Sequence, residues 1–247
     1  MEKLYIILPA YNEEENIEKV AEEWHNIVQK IGLESRLVII DDGSSDNTFG
    51  ILEELKKELS QLTILTKSNS GHGATVLFGY KYAILNGADY IFQTDSDGQT
   101  LSSEFWEMWK RRSSNVMNVN TMTGGGGCII GARKGRQDGI SRIFVTKVLK
   151  LVIFLIFHIS VEDANAPFRL MRRDILEKYI PYIPNDFNLS NIILTVLLIK
   201  GKEKVEFIPI TFRKRQGGKN SINFTKIIKI GVQAIKDFRQ INKNIKL

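Results

Sequence analysis

Short β-branched runs alternate with longer stretches of helical periodicity through the first hundred residues, and this alternation limits the fold more than any other feature. Apolar runs at 4–8, 36–40, 62–66 and 90–93 have the length of strands, and helical patterns at 14–31, 48–59 and 73–86 fill the intervals. Parallel strands need a crossover connection, usually a helix, so the pattern predicts an α/β fold with a Rossmann-like, mostly parallel central sheet flanked by helices. Asn12 and Asp46 stand where helix N-caps belong. In open sheets of this kind ligands gather at the carboxyl ends of the strands. The polar segments PAYNEE, DDGSSD, SNSGHG and DSDGQ each follow one of the four runs, so they are expected to converge on one crevice.

The chemistry of these segments is acidic. Asp95 and Asp97 lie two apart behind the apolar run ADYIF, with Gln99 two further on. Carboxylates that close repel unless a cation or a donor-rich partner sits between them. Mg²⁺ and Mn²⁺ are commonly held by one or two carboxylates together with substrate phosphates, so the pair predicts a metal-bound diphosphate. Asp41 and Asp42 emerge behind the strand RLVII. There they can accept hydrogen bonds from ribose hydroxyls or a base N–H edge, or one of them, like Asp46, can cap the next helix. Downstream, Arg213, Arg215, Lys219 and Ser221 surround two glycines in RKRQGGKNS. That segment suits phosphate oxygens, the alternative being a basic surface turn.

The 247 residues fit a single sizeable α/β domain, and the one cysteine, Cys128, excludes an intrachain disulfide, a zinc knuckle and a redox CxxC motif. The start MEKLYIILPAYNEEEN lacks the parts of a signal peptide, so a cytoplasmic location is expected. The net charge of +6 is uneven: from Lys200 onward about thirteen Lys and Arg face Glu203, Glu206 and Asp237. Such a tail is either a solvated basic face or a surface for anionic lipid or phosphate. The longest apolar run, 151–157 with 148–149 and 159, would cover about 18 Å as a helix against roughly 30 Å of bilayer hydrocarbon, so it cannot span. With Arg142, Lys147 and Lys150 beside it, the run suits an interfacial helix, a buried core helix being the alternative. Residues 113–127 form a polar, glycine-rich loop, either a lid or an insertion, before the strand CIIGA. A helix over 189–200, a strand over 204–210 and a final basic amphipathic helix from 224 complete the chain. Trp24, Trp106 and Trp109 are expected in packing roles. His25, His72 and His158 lack ligand spacing, and only His72 sits in a motif loop.

Six ordered segments carry a specific likeness: LPAYNEEENI, VIIDDGSSDNT, NSGHGATVLFGYKYAILNGADYIFQTDSDGQ, IIGARKG, DANAPFRLMRR and VEFIPITFRKRQGGKNS. From about Leu4 to Ser221 the chain resembles the family 2 glycosyltransferases of GT-A fold, and within them the dolichyl-phosphate mannosyltransferase and bacterial polyprenyl-phosphate branch. The resemblance implies a catalytic domain over 1–222, with a nucleotide-binding half (1–99) and an acceptor-side half (128–222), followed by a basic helix over 223–247. It implies that Pro9, Ala10, Tyr11, Glu13 and Asp42 cradle the nucleoside of a UDP- or GDP-sugar, helped by Asp41, Asn69, Gly73 and Ser96. It implies that Asp95, Asp97 and Gln99 hold Mg²⁺ or Mn²⁺, and that Arg133 and Arg142 lie near the diphosphate or acceptor. Arg169 of the DANAPFR segment belongs with these phosphate-side cations. The implied reaction is inverting transfer to a polyprenyl phosphate or a cell-surface glycan at the inner membrane face, with no nucleic acid as partner.

The likeness also has gaps. FNLSN at 187–191 stands where relatives often carry a glutamate, which leaves Asp163, and after it Asp186, as candidate bases for a hydroxyl acceptor. A phosphate acceptor is already ionised and needs no base, so the gap favours a lipid phosphate. Two other functions compete. A sugar-phosphate nucleotidyltransferase needs a GxGTRLxPxT loop with a lysine for the triphosphate, which PAYNEE lacks. An inactive membrane-surface protein of the same fold would have no use for intact Asp42, Asp95, Asp97 and Arg133.

Overall fold

The computed structural model describes residues 2–114, 127–134, 140–213 and 224–244, with the backbone alone described at 113–114, 134, 140–146, 224–232 and 244. The expected loop at 113–127 lies almost wholly outside the described residues. The strands are β1 (Leu4–Ala10), β2 (Arg36–Asp41), β3 (Leu62–Thr66), β4 (Tyr90–Gln93), β5 (Cys128–Lys134), β6 (Arg169–Arg172) and β7 (Val205–Thr211). Among the described residues these form one seven-stranded sheet in the order β3-β2-β1-β4-β6-β5-β7. β1 pairs in parallel with β2 and β4, β2 with β3, and β5 with β7. β6 runs antiparallel to both β4 and β5. Every strand except β6 therefore points the same way.

Both faces of the sheet are covered, and the period-2 alternation of each strand divides its side chains between two cores. Leu4, Ile6, Leu8 and Ala10 of β1 join Leu37 and Ile39 of β2 on one face. That face is covered by α1 (Ile17–Ile31), α2 (Thr48–Glu58) and α4 (Phe105–Ser114). Tyr5, Ile7, Val38 and Ile40 point to the other face. There they meet α3 (His72–Leu85), α5 (Ile140–Phe157), α6 (Arg173–Tyr179), α7 (Ser190–Lys200) and α8 (Phe224–Asn244). Trp24 centres an aromatic cluster in the first core, with ring centroids 5.2 Å from Phe92, 6.0 Å from Phe168 and 6.3 Å from Phe105. It has the packing role expected of it.

Several local expectations shift. Helix α1 begins at Ile17 with Asn16 as its N-cap, three residues later than the polar run suggested. Asn12 is not a cap. It sits in the left-handed region at φ 55°, and its Oδ1 accepts from Ser45 N at 2.8 Å, tying the β1 loop to the β2 loop. Asp46 does serve the first turn of α2, accepting from Thr48 N at 3.0 Å, although Asn47 holds the cap position. The short strand β6 and the helices α4 and α6 were not anticipated. Helix α8 packs into the second core through Ala234, Phe238 and Ile241, with the Phe238 ring 5.7 Å from that of Phe157 and 6.1 Å from that of Phe187.

Cys128 lies in β5 at 1% exposure, where burial pushes its thiol up to about 12 despite the opposing pull of Arg169. The folded chain is therefore expected to resist iodoacetamide at pH 8 and to react fully once guanidinium unfolds it. Mass spectrometry of the alkylated fraction checks this, and rapid labelling of the folded chain would contradict the placement.

Candidate active site

Because six strands run forward and β6 runs back, the carboxyl ends of β1, β2, β3, β4, β5 and β7 and the segment entering β6 all lie on one edge of the sheet. The polar segments singled out from the sequence meet there. The edge is stitched together first by backbone. Asp42 N donates to Ala10 O at 2.8 Å, extending the β1–β2 ladder past the strands, and Ser96 Oγ donates to Pro9 O at 2.8 Å across the β1–β4 pair. Glu13 N donates to Thr48 Oγ1 at 2.8 Å, and the buried Glu13 carboxylate accepts from Asn16 Nδ2 at 2.9 Å. Tyr11, 43% exposed, presents its ring to solvent at the mouth of this loop.

Asp41 and Asp42 are both buried and both occupied. Asp41 accepts from Ser44 N at 3.2 Å and from Thr66 Oγ1 at 3.4 Å. Asp42 accepts from Ser70 N and Gly71 N, each at 3.0 Å, and forms an ion pair with Lys67. The Lys67 ammonium also donates to Ser68 O at 3.0 Å and Thr75 Oγ1 at 3.2 Å. Asp42 thus fixes the loop that holds Asn69, and Gly43 lets that loop approach: a Cβ there would stand 2.9 Å from Asn69 N, at a φ of +69°. Lys67 did not figure in the sequence reading. Its signal was a lysine closing β3 directly beside the two aspartates that close β2.

The third and fourth loops meet at a histidine. His72 Nε2 lies 2.9 Å from Asp95 Oδ1. Desolvation lowers the imidazole's proton affinity, and the Asp95, Asp97 and Asp42 carboxylates more than offset it, so His72 titrates above the ordinary histidine value. Asp97 Oδ1 accepts from Gln99 N at 3.1 Å. The Gln99 amide donates to Arg213 O at 2.8 Å while Arg213 N donates to Gln99 O at 2.8 Å, a two-way clamp that brings the end of β7 to the β4 tip. Gly73 seats the start of α3 against the FNLSN segment, because a Cβ there would come within 2.4 Å of the Phe187 and Asn188 carbonyl oxygens. Among the described residues no three His, Cys, Asp or Glu side chains form a closed metal cage. An open carboxylate edge fits a cation that draws its other ligands from a diphosphate and water.

Two of the expected residues are paired with each other. Arg133, at the end of β5, grips Asp163 through two bonds of 2.8 Å, and both side chains are about nine-tenths buried (8% and 10% exposed). The guanidinium also lies 5.3 Å from the Phe212 ring centroid. With both carboxylate oxygens engaged by a fixed cation, Asp163 is poorly placed to take a proton from a hydroxyl. Arg169 must be corrected outright. It is fully buried, and its guanidinium donates to Ala166 O at 2.6 and 3.0 Å, Asn191 O at 3.2 Å, Ala164 O at 3.4 Å and Thr195 Oγ1 at 3.4 Å. It is a strut that satisfies inward-facing carbonyls of the DANAP turn and of α7, not an acceptor or phosphate contact. The Arg142 side chain, Arg215, Lys219 and Ser221 lie outside the described residues.

This chain matches the model of glycosyl transferase family 2 over residues 5–180. It is a family 2 glycosyltransferase. The glycosyltransferase is 23% identical over 234 residues to a polyprenol monophosphomannose synthase of Mycolicibacterium smegmatis, a match covering 92% of this chain and 83% of that protein. It is 22% identical over 232 residues to an undecaprenyl-phosphate 4-deoxy-4-formamido-L-arabinose transferase of Salmonella typhimurium, covering 93% of this chain. It spans 65% of that relative's length. Its fold is GT-A. Glucosyl-3-phosphoglycerate synthase from Mycobacterium tuberculosis, solved with Mn²⁺, UDP and glucosyl-3-phosphoglycerate, matches with a TM-score of 0.66 at 16% identity, over 98% of this chain and 80% of that one.

Replacing Arg169 with Met tests its corrected role in the glycosyltransferase. The change strands buried carbonyls and is expected to cost about 3 kcal/mol of stability. The cost is to be read from denaturant unfolding, while the KM for acceptor in the fraction that folds stays at the wild-type value. An unchanged stability with a raised acceptor KM would return Arg169 to the phosphate-binding set.

Proposed function

We propose that the chain transfers a sugar, with inversion, from a UDP- or GDP-sugar to a polyprenyl phosphate at the inner membrane face. The observation that carries the acceptor class is the Arg133–Asp163 pair. It withdraws the principal candidate base, which matters for a hydroxyl acceptor and not for a phosphate that is already ionised. The polyprenyl-linked relatives support the same acceptor. Asp186, exposed on the loop that abuts α3, is the alternative base should the acceptor be a cell-surface glycan.

In this mechanism Pro9, Ala10, Tyr11, Glu13, Asp41, Asp42 and Asn69 shape the nucleoside side of the crevice, with Tyr11 the exposed ring available for stacking on the base. Asp95 and Asp97 would hold Mg²⁺ or Mn²⁺, which when bound offsets the charge collecting on the departing diphosphate. An acceptor phosphate oxygen attacks the anomeric carbon as the bond to the β-phosphate oxygen breaks, and the nucleoside diphosphate leaves with that electron pair. Arg213, held at the β4 tip by its backbone clamp with Gln99, contributes a positive charge beside the phosphates.

Membrane contact is assigned to α5. Val148, Leu151, Phe154 and Leu155 are 43%, 57%, 53% and 62% exposed, and their spacing puts them on one side of the helix. Lys147 and Lys150 flank them, and Lys236, Arg239 and Lys243 are exposed on the adjacent α8. Among the described residues no helix is long and apolar enough to cross a membrane. An apolar stripe edged by cations suits the surface of an anionic bilayer.

A panel of UDP- and GDP-sugars with Mn²⁺ or Mg²⁺, read as nucleoside diphosphate release, tests the reaction. Release is expected only with metal and to rise with polyprenyl phosphate, and Asp95→Asn and Asp97→Asn should each lower it about 100-fold. Release indifferent to both metal and acceptor would defeat the proposal. Vesicle sedimentation tests α5: binding should require phosphatidylglycerol and fall at least several-fold in the Leu151→Glu, Phe154→Glu double variant. Equal binding to neutral vesicles, or no loss in the variant, counts against that face.

A further inference from the structure

The carboxylate that opens the DSD segment already has a nitrogen beside it. His72 is the first residue of α3, half exposed toward the crevice at 49%, and its Nε2 stands 2.9 Å from Asp95 Oδ1. Its position is fixed from both sides. Gly71 precedes it at φ +88°, and Gly73 follows it pressed against the Phe187–Asn188 backbone, so the first turn of α3 presents the imidazole to the β4 tip. Two ligands on adjacent corners of an octahedral ion, each about 2.1 Å from it, lie about 3.0 Å apart, because the edge is √2 times the bond length. The observed gap fits that edge. An ion can therefore replace the bridging proton without a change in that separation, the imidazole turning to aim Nε2 at the ion.

We infer that His72 is a ligand of the site metal alongside Asp95, giving the site a mixed nitrogen and oxygen edge that favours a transition ion over Mg²⁺. This rests on the metal-dependent transfer proposed above and adds a residue that carboxylate spacing alone does not supply. Mg²⁺ prefers an all-oxygen shell and parts with water reluctantly, whereas first-row transition ions accept imidazole. The His72–Asp95 pair is then one edge of the shell, which Asp97, diphosphate oxygens and water complete. A purely structural role would need only a hydrogen-bond donor to Asp95, which a glutamine amide supplies. A ligand role needs the imidazole.

The test uses the full chain, uniformly ¹⁵N-labelled, with unlabelled GDP or UDP. Mn²⁺ is titrated by the loss of its free EPR signal, and the bound ion is examined by pulsed EPR for ¹⁵N and ³¹P coupling. A directly bonded ¹⁵N is expected in the wild type and is expected to vanish in both His72→Ala and His72→Gln. Mn²⁺ affinity should fall about tenfold in each, and Mg²⁺ affinity, measured by competition, less than threefold. Bound Mn²⁺ with ³¹P but no ¹⁵N coupling removes His72 and leaves the proposed function standing, as does full retention of Mn²⁺ affinity in His72→Gln. Failure of Mn²⁺ to bind with either nucleotide, together with metal-independent transfer, removes both.

Discussion

Parallel pairing of β1 with β2 on one side and β4 on the other is the constraint on which the site depends. The register sets Ala10 opposite Asp41, so β1 and β2 end level, and Ile7 opposite Gln93, so β4 ends three residues earlier and its DSD segment runs on beside the end of β1. Asp42 N then reaches Ala10 O, and Ser96 Oγ reaches Pro9 O, locking the loops before any ligand arrives. A slip of one residue would exchange Ile6 and Leu8 for Ile7 on the α1 face and turn every side chain of the strand to the wrong core. Burial on both faces makes that slip costly, and so the loops hold their place.

Gathering so many carboxylates at one edge creates an electrostatic problem, which the fold meets locally. Lys67 and two backbone N–H groups compensate Asp42, Arg133 compensates Asp163, and His72 stands against Asp95. The compensation is strongest where the side chains are most buried, as desolvation requires. Asp95 is the more exposed member, 28% accessible, and its partner is an imidazole, not a permanent cation. Charge at the β4 tip is therefore balanced in a way that another positive species can exchange with.

Much of the fold was legible in the sequence. The runs at 62–66 and 90–93 are strands as read, and the segments behind all four early runs meet at one edge, because period-2 burial and strand-end polarity are local signals. β6 was not legible: four residues with arginine at both ends carry no alternation to detect. The site divided in the same way. The positions of Asp42, Asp95 and Asp97 follow from strand order, but their partners do not, since Lys67 and His72 lie 25 and 23 residues away from the aspartates they meet. The DANAPFR segment shows the limit most sharply. Its Asp and Arg look alike as polar residues of a motif, yet Asp163 is anchored to β5 and Arg169 is fully buried beneath α7.

The amino-acid sequence is enough to establish a mostly parallel sheet covered on both faces, with acidic loops at its carboxyl edge, and the family that the chain resembles. Those properties repeat every two or four residues or occupy contiguous segments, so they survive without knowledge of the fold. Only the tertiary structure decided which charges cancel one another and which stay available to a ligand. That outcome depends on side chains brought within about 3 Å from distant parts of the chain, and on how much water each loses there. Spacing along the chain reports neither.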